Sequence, residues 1–355
     1  MNEIVMLPAE GLSFLQGMYL WGIGVIRVIQ RIEGPALTAI VKFITEFGTE
    51  TFYMPAILFI FWWIDEKRGL ELGILIIVSA WINSFMKDIF KQPRPYNLEP
   101  SLGLAYESSY GAPSGHAQMS LCFWISMAAW RAEVFAAGVM TGKAGAKPLL
   151  RRFLIWASAV LFVLLIGFTR LYLGVHFPTD LFIGWILGGL ILTIWFIPAP
   201  RMEKIFASMG TRIQNICIAF LALIMNGLYP GDRTMPALFL GFCLGYTIMR
   251  KYFPFYAQGT IDGKKPGVKI MILRCLTGFL GAAIIYIALR LVFPGEGSLF
   301  KHIPIWGEFS PFYQIGRFIR YCLLGLWASA GAPNMFRRMG LSSPGNAEEP
   351  TSEKP

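Results

Sequence analysis

Apolar runs of about 20 residues, separated by short polar joints, recur along most of this 355-residue chain. An α-helix needs a run of about that length to cross the roughly 30 Å hydrocarbon core of a bilayer. Lipid offers no partner to a bare N–H or C=O, so each crossing segment must satisfy its own backbone, and runs this long do so as helices. The balance of residues agrees: 55% are hydrophobic and only 15% charged, and mean hydropathy is +0.55. An ordinary water-soluble domain carries far more charge. The expectation is an all-α, polytopic transmembrane bundle.

Two shorter, partly amphipathic stretches come first, at 12–30 and 35–46, where Arg27, Arg31 and Lys42 break the apolar pattern. Spans follow near 50–64, 70–90, 114–131, 153–172, 179–198, 213–229, 234–249, 269–293 and 316–333, which makes about nine crossings. The linear division is an interfacial segment at 1–49, a core at 50–200, further spans at 201–338, and a polar tail at 339–355 expected to be disordered. The net charge of +10 does not point to a nucleic-acid partner, because the cations lie in the joints instead of on one face. Lys67 and Arg68; Arg131, Lys143, Lys147, Arg151 and Arg152; Arg201 and Lys204; Lys251, Lys264 and Lys265; and Arg337 and Arg338 mark alternate joints as cytoplasmic. The remaining joints and the N-terminus are then outward. Glu3 and Glu10 precede any Lys or Arg, so no cleaved leader is expected, and a bacterial inner membrane is the expected location.

Several residues have ordinary readings. The five cysteines sit in apolar runs without metal or disulfide spacing and read as small core residues. Trp62 and Trp63 read as span-end anchors, Arg274 and Arg290 as snorkelling cations, His302 as a surface residue and Glu107 as a solvated loop residue. Gly184 with Gly188, and Gly241 with Gly245, place small residues four apart for close helix contact.

Three segments do not reduce so easily. Lys87-Asp-Ile-Phe-Lys91-Gln-Pro-Arg94-Pro95 closes the second span, with Lys87, Lys91 and Arg94 at helical offsets that share a face; alone, it reads as a snorkelling span end. Pro113-Ser114-Gly115-His116 opens the third span, with Ser114 as a cap, Gly115 allowing close backbone approach and free N–H groups that favour an anion. Thr169-Arg170, then His176-Phe-Pro-Thr-Asp180, joins the fourth span to the fifth, and Asp180 can fix one tautomer of His176. Topology puts all three on the outward side. Clustered cations there need an anion to meet, and phosphate suits them.

The pattern resembles the type 2 phosphatidic acid phosphatase (PAP2) superfamily, whose signature is Lys, six residues and Arg-Pro; Pro-Ser-Gly-His; and Ser-Arg, five residues, His, three residues, Asp. This chain departs only in Thr169, which stands where the family has Ser. The resemblance covers roughly residues 50–200 and implies a metal-independent phosphoric ester hydrolase with no cofactor. It implies that Lys87, Arg94, Ser114, Gly115 and Arg170 hold the phosphoryl oxygens, that His176 attacks phosphorus, that Asp180 orients it, and that His116 protonates the leaving oxygen. The layout is also similar to the glucose-6-phosphatase branch. An amphiphilic substrate drawn from the surrounding membrane lipids is ranked first: a phosphatidate, phosphatidylglycerol phosphate, undecaprenyl diphosphate or sphingoid phosphate. A sugar phosphatase, a phosphotransferase and a non-catalytic transporter are the rivals.

Overall fold

A computed structural model describes residues 13–140, 148–261, 263–295, 297–303, 306 and 310–342. These residues are overwhelmingly helical, and among them the one β feature is an isolated bridge between Ile261 and Lys264. The chain is a multi-pass integral membrane protein. It divides into two compact units: residues 1–53 with 82–194, and residues 54–81 with 195–355. The N-terminal helices therefore group with the motif-bearing region instead of standing as a separate segment.

In the first unit, α1 (Phe14–Gln30) starts where Ser13 and Gln16 cap each other reciprocally. It buries Gly22, Ile23 and Ile26 on one face and exposes Phe14, Leu20, Trp21 and Val28 on the other. α2 (Pro35–Glu46) begins with Pro35, whose missing N–H costs nothing in a first turn. α3 (Glu50–Phe59) leaves this unit after Tyr53 and passes into a π-helical turn at Ile60–Ile64 that belongs to the second. α4 (Glu66–Phe90) enters this unit at Ile82, and the short α5 (Pro95–Leu98) lies in the loop beyond it. α6 (Gly115–Met140), α7 (Pro148–Tyr172) and α8 (Pro178–Phe196) complete the unit. A Cβ on Gly184 would lie 2.6 Å from the Ser114 carbonyl, and one on Gly188 would lie 3.0 Å from that of Gln118. The small pair thus lets α8 press on the start of α6, as its spacing predicts. The N-terminal helices pack against the turn after α7: Ile23 and Ile26 meet Leu102 and Phe177, while Val41 meets Tyr172, Leu173 and Val175.

The second unit holds α9 (Ala199–Ser208), α10 (Thr211–Leu228), α11 (Thr234–Tyr252), α12 (Val268–Val292), α13 (Tyr313–Leu326) and α14 (Ala332–Arg338), the last two joined by a π-helical turn. A Cβ on Gly241 would fall 1.9 Å from the Cys322 carbonyl oxygen, and one on Gly245 2.1 Å from Ser329 Oγ. The second small pair therefore sets the approach of α11 to α13.

Several expectations change. Among the described residues, five helices are long and apolar enough to cross a bilayer, six if the α2 and α3 pair counts as one broken span. Nine is not reached by that measure, because α6, α11 and α13 are too polar or too short to pass it. Trp62 is no interfacial anchor: it is fully buried and donates from Nε1 to the Ala328 carbonyl at 2.8 Å. Arg274 does not snorkel. It is 0% exposed and donates to the carbonyls of Leu341 (2.8 Å), Ala257 (2.6 Å) and Trp62 (3.2 Å), with its guanidinium over the Phe255 ring. Leu341 and Ser342 are consequently buried, so the expected loose tail does not begin at 339; residues 343–355, like Lys143 and Lys147, lie outside the described residues. Cys122 and Cys243 are buried as expected, whereas Cys217 is exposed. Arg290 and His302 are exposed, as read.

Gly241→Ala should lower the stability of the detergent-solubilised protein by about 1–3 kcal/mol, because its methyl group meets backbone that cannot swing aside. Gly17→Ala, on an exposed stretch of α1 with nothing within 4 Å, should leave the melting temperature unchanged or raise it. Thermal unfolding of the two variants checks both expectations.

Candidate active site

The three motif segments and the N-terminal helices build one site within the first unit. α4 stops at Phe90, and Lys91 adopts a left-handed conformation (φ 48°) while its N–H bonds the Lys87 carbonyl at 2.8 Å. The helical face expected for Lys87, Lys91 and Arg94 therefore breaks at Lys91, which is exposed while Arg94 is 1% exposed. The chain then loops back. Lys87 Nζ donates to the Tyr110 carbonyl at 2.6 Å and to Ser109 Oγ at 3.2 Å. Arg94 donates to the carbonyls of Ser109 (2.7 Å), Tyr110 (3.1 Å) and Val175 (2.8 Å) and to Ser109 Oγ (3.0 Å). A cation buried this deeply is tolerable only when its donors are answered, and the loop supplies those answers.

Ser114 caps α6 with its hydroxyl at 3.4 Å from the Ala117 N–H, and its own N–H donates to the Asp180 carbonyl at 3.0 Å. Gly115 is closely covered: a Cβ would sit 3.0 Å from Asn83 Oδ1 and require that side chain to shift. Asn83 is itself fixed by donating to the Pro113 carbonyl and to the side-chain oxygen Oε1 of Gln118. His116 lies one residue into the helix with Nε2 buried and no hydrogen-bond partner among the described residues.

The turn after α7 depends on Gly174, whose φ of +66° places a would-be Cβ 1.9 Å from the Leu102 carbonyl; only glycine fits there. It delivers His176 to a site where the side chain is 1% exposed. Nδ1 lies 3.3 Å from Asp180 Oδ2, which also accepts from the Phe177 N–H at 2.9 Å. The other ring nitrogen, Nε2, lies 3.4 Å from Arg94 Nη1. A guanidinium only donates, so Nε2 carries the lone pair and Nδ1 the proton facing Asp180. Burial first, then the positive charges of Arg94, Lys87 and Arg170, hold His176 well below its ordinary value of 6.5. The imidazole is neutral at physiological pH, with its lone pair turned toward the cations.

Two residues outside the three motif segments complete the arrangement. Glu107, read as a solvated loop residue, bridges both arginines: Oε2 lies 2.6 Å from Arg94 Nη2, and Oε1 pairs with Arg170 Nη2. Burial alone would raise its pKa, but Arg170, Arg94 and Lys87 outweigh that and hold the carboxylate below its usual range. Thr45, on α2, accepts from Arg170 Nη1 at 2.8 Å, and its hydroxyl lies within hydrogen-bond distance, 3.1 Å, of the Thr169 hydroxyl. Thr169 donates to the Ile166 carbonyl at 2.6 Å, so its hydroxyl is engaged within the protein. The only sequence signal for Glu107 was a lone acid between two basic motifs. For Thr45 there was none.

Among the described residues, no group of three or more His, Cys, Asp or Glu side chains is placed to hold a metal. The site's chemistry is three cations, two histidines, a histidine-orienting carboxylate and a capped helix start, an arrangement suited to an anionic, tetrahedral group that accepts a nucleophile.

Comparison with known proteins agrees with this chemistry. Residues 68–202 match the model of the PAP2 superfamily, and residues 234–344 match that of the PAP2 superfamily phosphatase transmembrane extension. Similar curated proteins include the phosphatidylglycerophosphatase B of Bacillus subtilis, 28% identical over 180 residues, 49% of this chain and 79% of that one. The sphingosine-1-phosphate phosphatase 2 of Mus musculus is 24% identical over 340 residues, 84% of this chain and 87% of that one. The undecaprenyl-diphosphatase of Sulfolobus acidocaldarius is 27% identical over 173 residues, 46% of this chain and 72% of that one.

The buried neutral His176 has a pH consequence. Its folded pKa lies below 6.5, so the folded state resists protonation that the unfolded chain accepts, and the stability this histidine contributes should be full above about pH 6.5 and be lost as pH drops below it. Thermal melts of the parent and of His176→Gln from pH 8 to 5 should show the variant losing less stability between pH 6.5 and 5.

Proposed function

Because this chain belongs to the PAP2 superfamily of phosphatases, we propose that it hydrolyses a lipid or isoprenoid phosphate through a phosphohistidine formed on His176, at the non-cytoplasmic face of its membrane. The observation that carries the reading is His176 itself: proton on the Asp180 side, lone pair on the side of Arg94.

Lys87, Arg94 and Arg170, with the first-turn N–H groups after Ser114 and Gly115, bind the phosphoryl oxygens and neutralise the charge that develops on them. His176 Nε2 forms a bond to phosphorus as the bond from phosphorus to the leaving oxygen breaks. His116 gives its proton to that oxygen, and the alcohol departs. A water then attacks phosphorus, the nitrogen–phosphorus bond breaks, and His116 takes the water's proton, releasing inorganic phosphate and restoring both histidines. Asp180 holds the Nδ1 proton throughout and stabilises the positive ring.

A lipid substrate is supported by three of the similar proteins, whose names specify sphingosine-1-phosphate, phosphatidylglycerophosphate or undecaprenyl diphosphate. The mouse protein's likeness extends over most of this chain, which favours a sphingoid phosphate among the lipids and places a soluble sugar phosphate behind them. The outward position of the site follows from the joints rich in Lys and Arg on the opposite side.

Purified protein in detergent with EDTA should release phosphate from lipid phosphates. His176→Ala should lower the rate at least about 10³-fold, and His116→Ala by roughly 10² to 10⁴. Quenching turnover of a labelled substrate should trap base-stable, acid-labile phosphate on the wild type but none on His176→Ala. Undiminished release by His176→Ala would sink the mechanism.

A further inference from the structure

The carboxylate of Glu107 is held by two of the groups the proposed reaction needs for phosphate. Its oxygens bridge Arg94 and Arg170 as two phosphoryl oxygens would, since guanidinium forks recognise carboxylate and phosphate by the same geometry. The three side chains differ in freedom. Those of Arg94 and Arg170 are 1% and 4% exposed, whereas that of Glu107 is 29% exposed. The Glu107 backbone is clamped by Tyr96, whose hydroxyl donates to its carbonyl at 2.7 Å and accepts from its N–H at 3.1 Å. Rotation about the side-chain bonds of Glu107 is therefore enough to withdraw the carboxylate toward water while the loop and both arginines stay in place.

Taking this cluster as the phosphate site, we infer that Glu107 is a displaceable internal anion that fills the phosphate position in the resting enzyme and keeps singly charged phosphodiesters from occupying it. The argument is one of charge. A phosphodiester carries a single negative charge, the same as Glu107, so exchanging one for the other gains nothing from Lys87, Arg94 and Arg170. A monoester dianion brings one more negative charge to the same three cations and displaces the carboxylate. Phosphodiester head groups make up most of the anionic surface of a bilayer, and an open three-cation site would fill with them. The same competition acts after turnover, when the returning carboxylate helps expel inorganic phosphate.

The test is calorimetric titration of the detergent-solubilised full chain carrying His176→Ala, with inorganic phosphate and with dimethyl phosphate as probes. Adding Glu107→Gln should tighten binding of both probes at least tenfold and by similar factors, since each displaces the same carboxylate, so that dimethyl phosphate occupies the site at concentrations at which the parent excludes it. Glu107→Asp, one methylene too short to bridge both arginines, should move binding the same way by a smaller factor, and it serves if the Gln variant does not fold. Unchanged or weaker binding of dimethyl phosphate in a variant that melts as the parent does overturns the inference. Phosphate release is measured in parallel on chains that retain His176. No release from any lipid phosphate, together with the binding shift, removes the catalytic reading and leaves the displacement standing; release without the shift removes the displacement alone.

Discussion

Arg94 and Arg170 are almost fully buried, and much of the first unit can be understood as the answer to that fact. A guanidinium cannot shed its charge in a protein, so burying it requires oxygen atoms on its donors. The loop between α4 and α6 turns the carbonyls of Ser109 and Tyr110 inward, the turn after α7 turns in that of Val175, α2 sends Thr45, and Glu107 spans the two cations. These partners come from three stretches of chain: the loop that carries Glu107, Ser109 and Tyr110, the turn after α7, and α2. The arginines thereby fix how the loops fold over one another as well as where an anion can bind.

Asp180 has a comparable joining role with the opposite charge. Its carboxylate orients His176 and bonds the Phe177 N–H, while its carbonyl receives the Ser114 N–H. The third motif is thus locked to the second through one residue, and the close contact of Gly184 with the Ser114 carbonyl holds the helices that carry them. In the second unit, Arg274 shows that a buried cation need not mark chemistry. Among the described residues its hydrogen bonds go to backbone carbonyls and a sulfur, and it ties the end of the described chain to the helices around Trp62.

The helices and the three motifs were legible because each depends on local pattern: apolar runs of bilayer length, a Ser-Gly helix start, and a histidine four residues before an aspartate. The glycine pairs were legible for the same reason, since a spacing of four is a property of one helix. Lys91, Glu107, Thr45, Trp62 and Arg274 were misread or passed over because their surroundings come from segments far away in sequence. A lysine that ends a helix in a left-handed turn looks like one that continues it. An acid that bridges two arginines looks like any loop acid until the loop closes. The number of spans is less legible, because α6 and α11 carry polar side chains that packing conceals and that keep them below the hydropathy of the other spans.

Thr169, the one departure from the family pattern, sits in the segment that defines the third motif, yet its hydroxyl bonds Thr45, 124 residues earlier, and the carbonyl of its own preceding turn. Thr45 in turn bonds the arginine beside it. What residue 169 is allowed to be is therefore set by α2, outside the stretch that the motif covers. The contact joins two hydroxyls from helices far apart in sequence, so one letter of a motif on α7 has its surroundings written on α2.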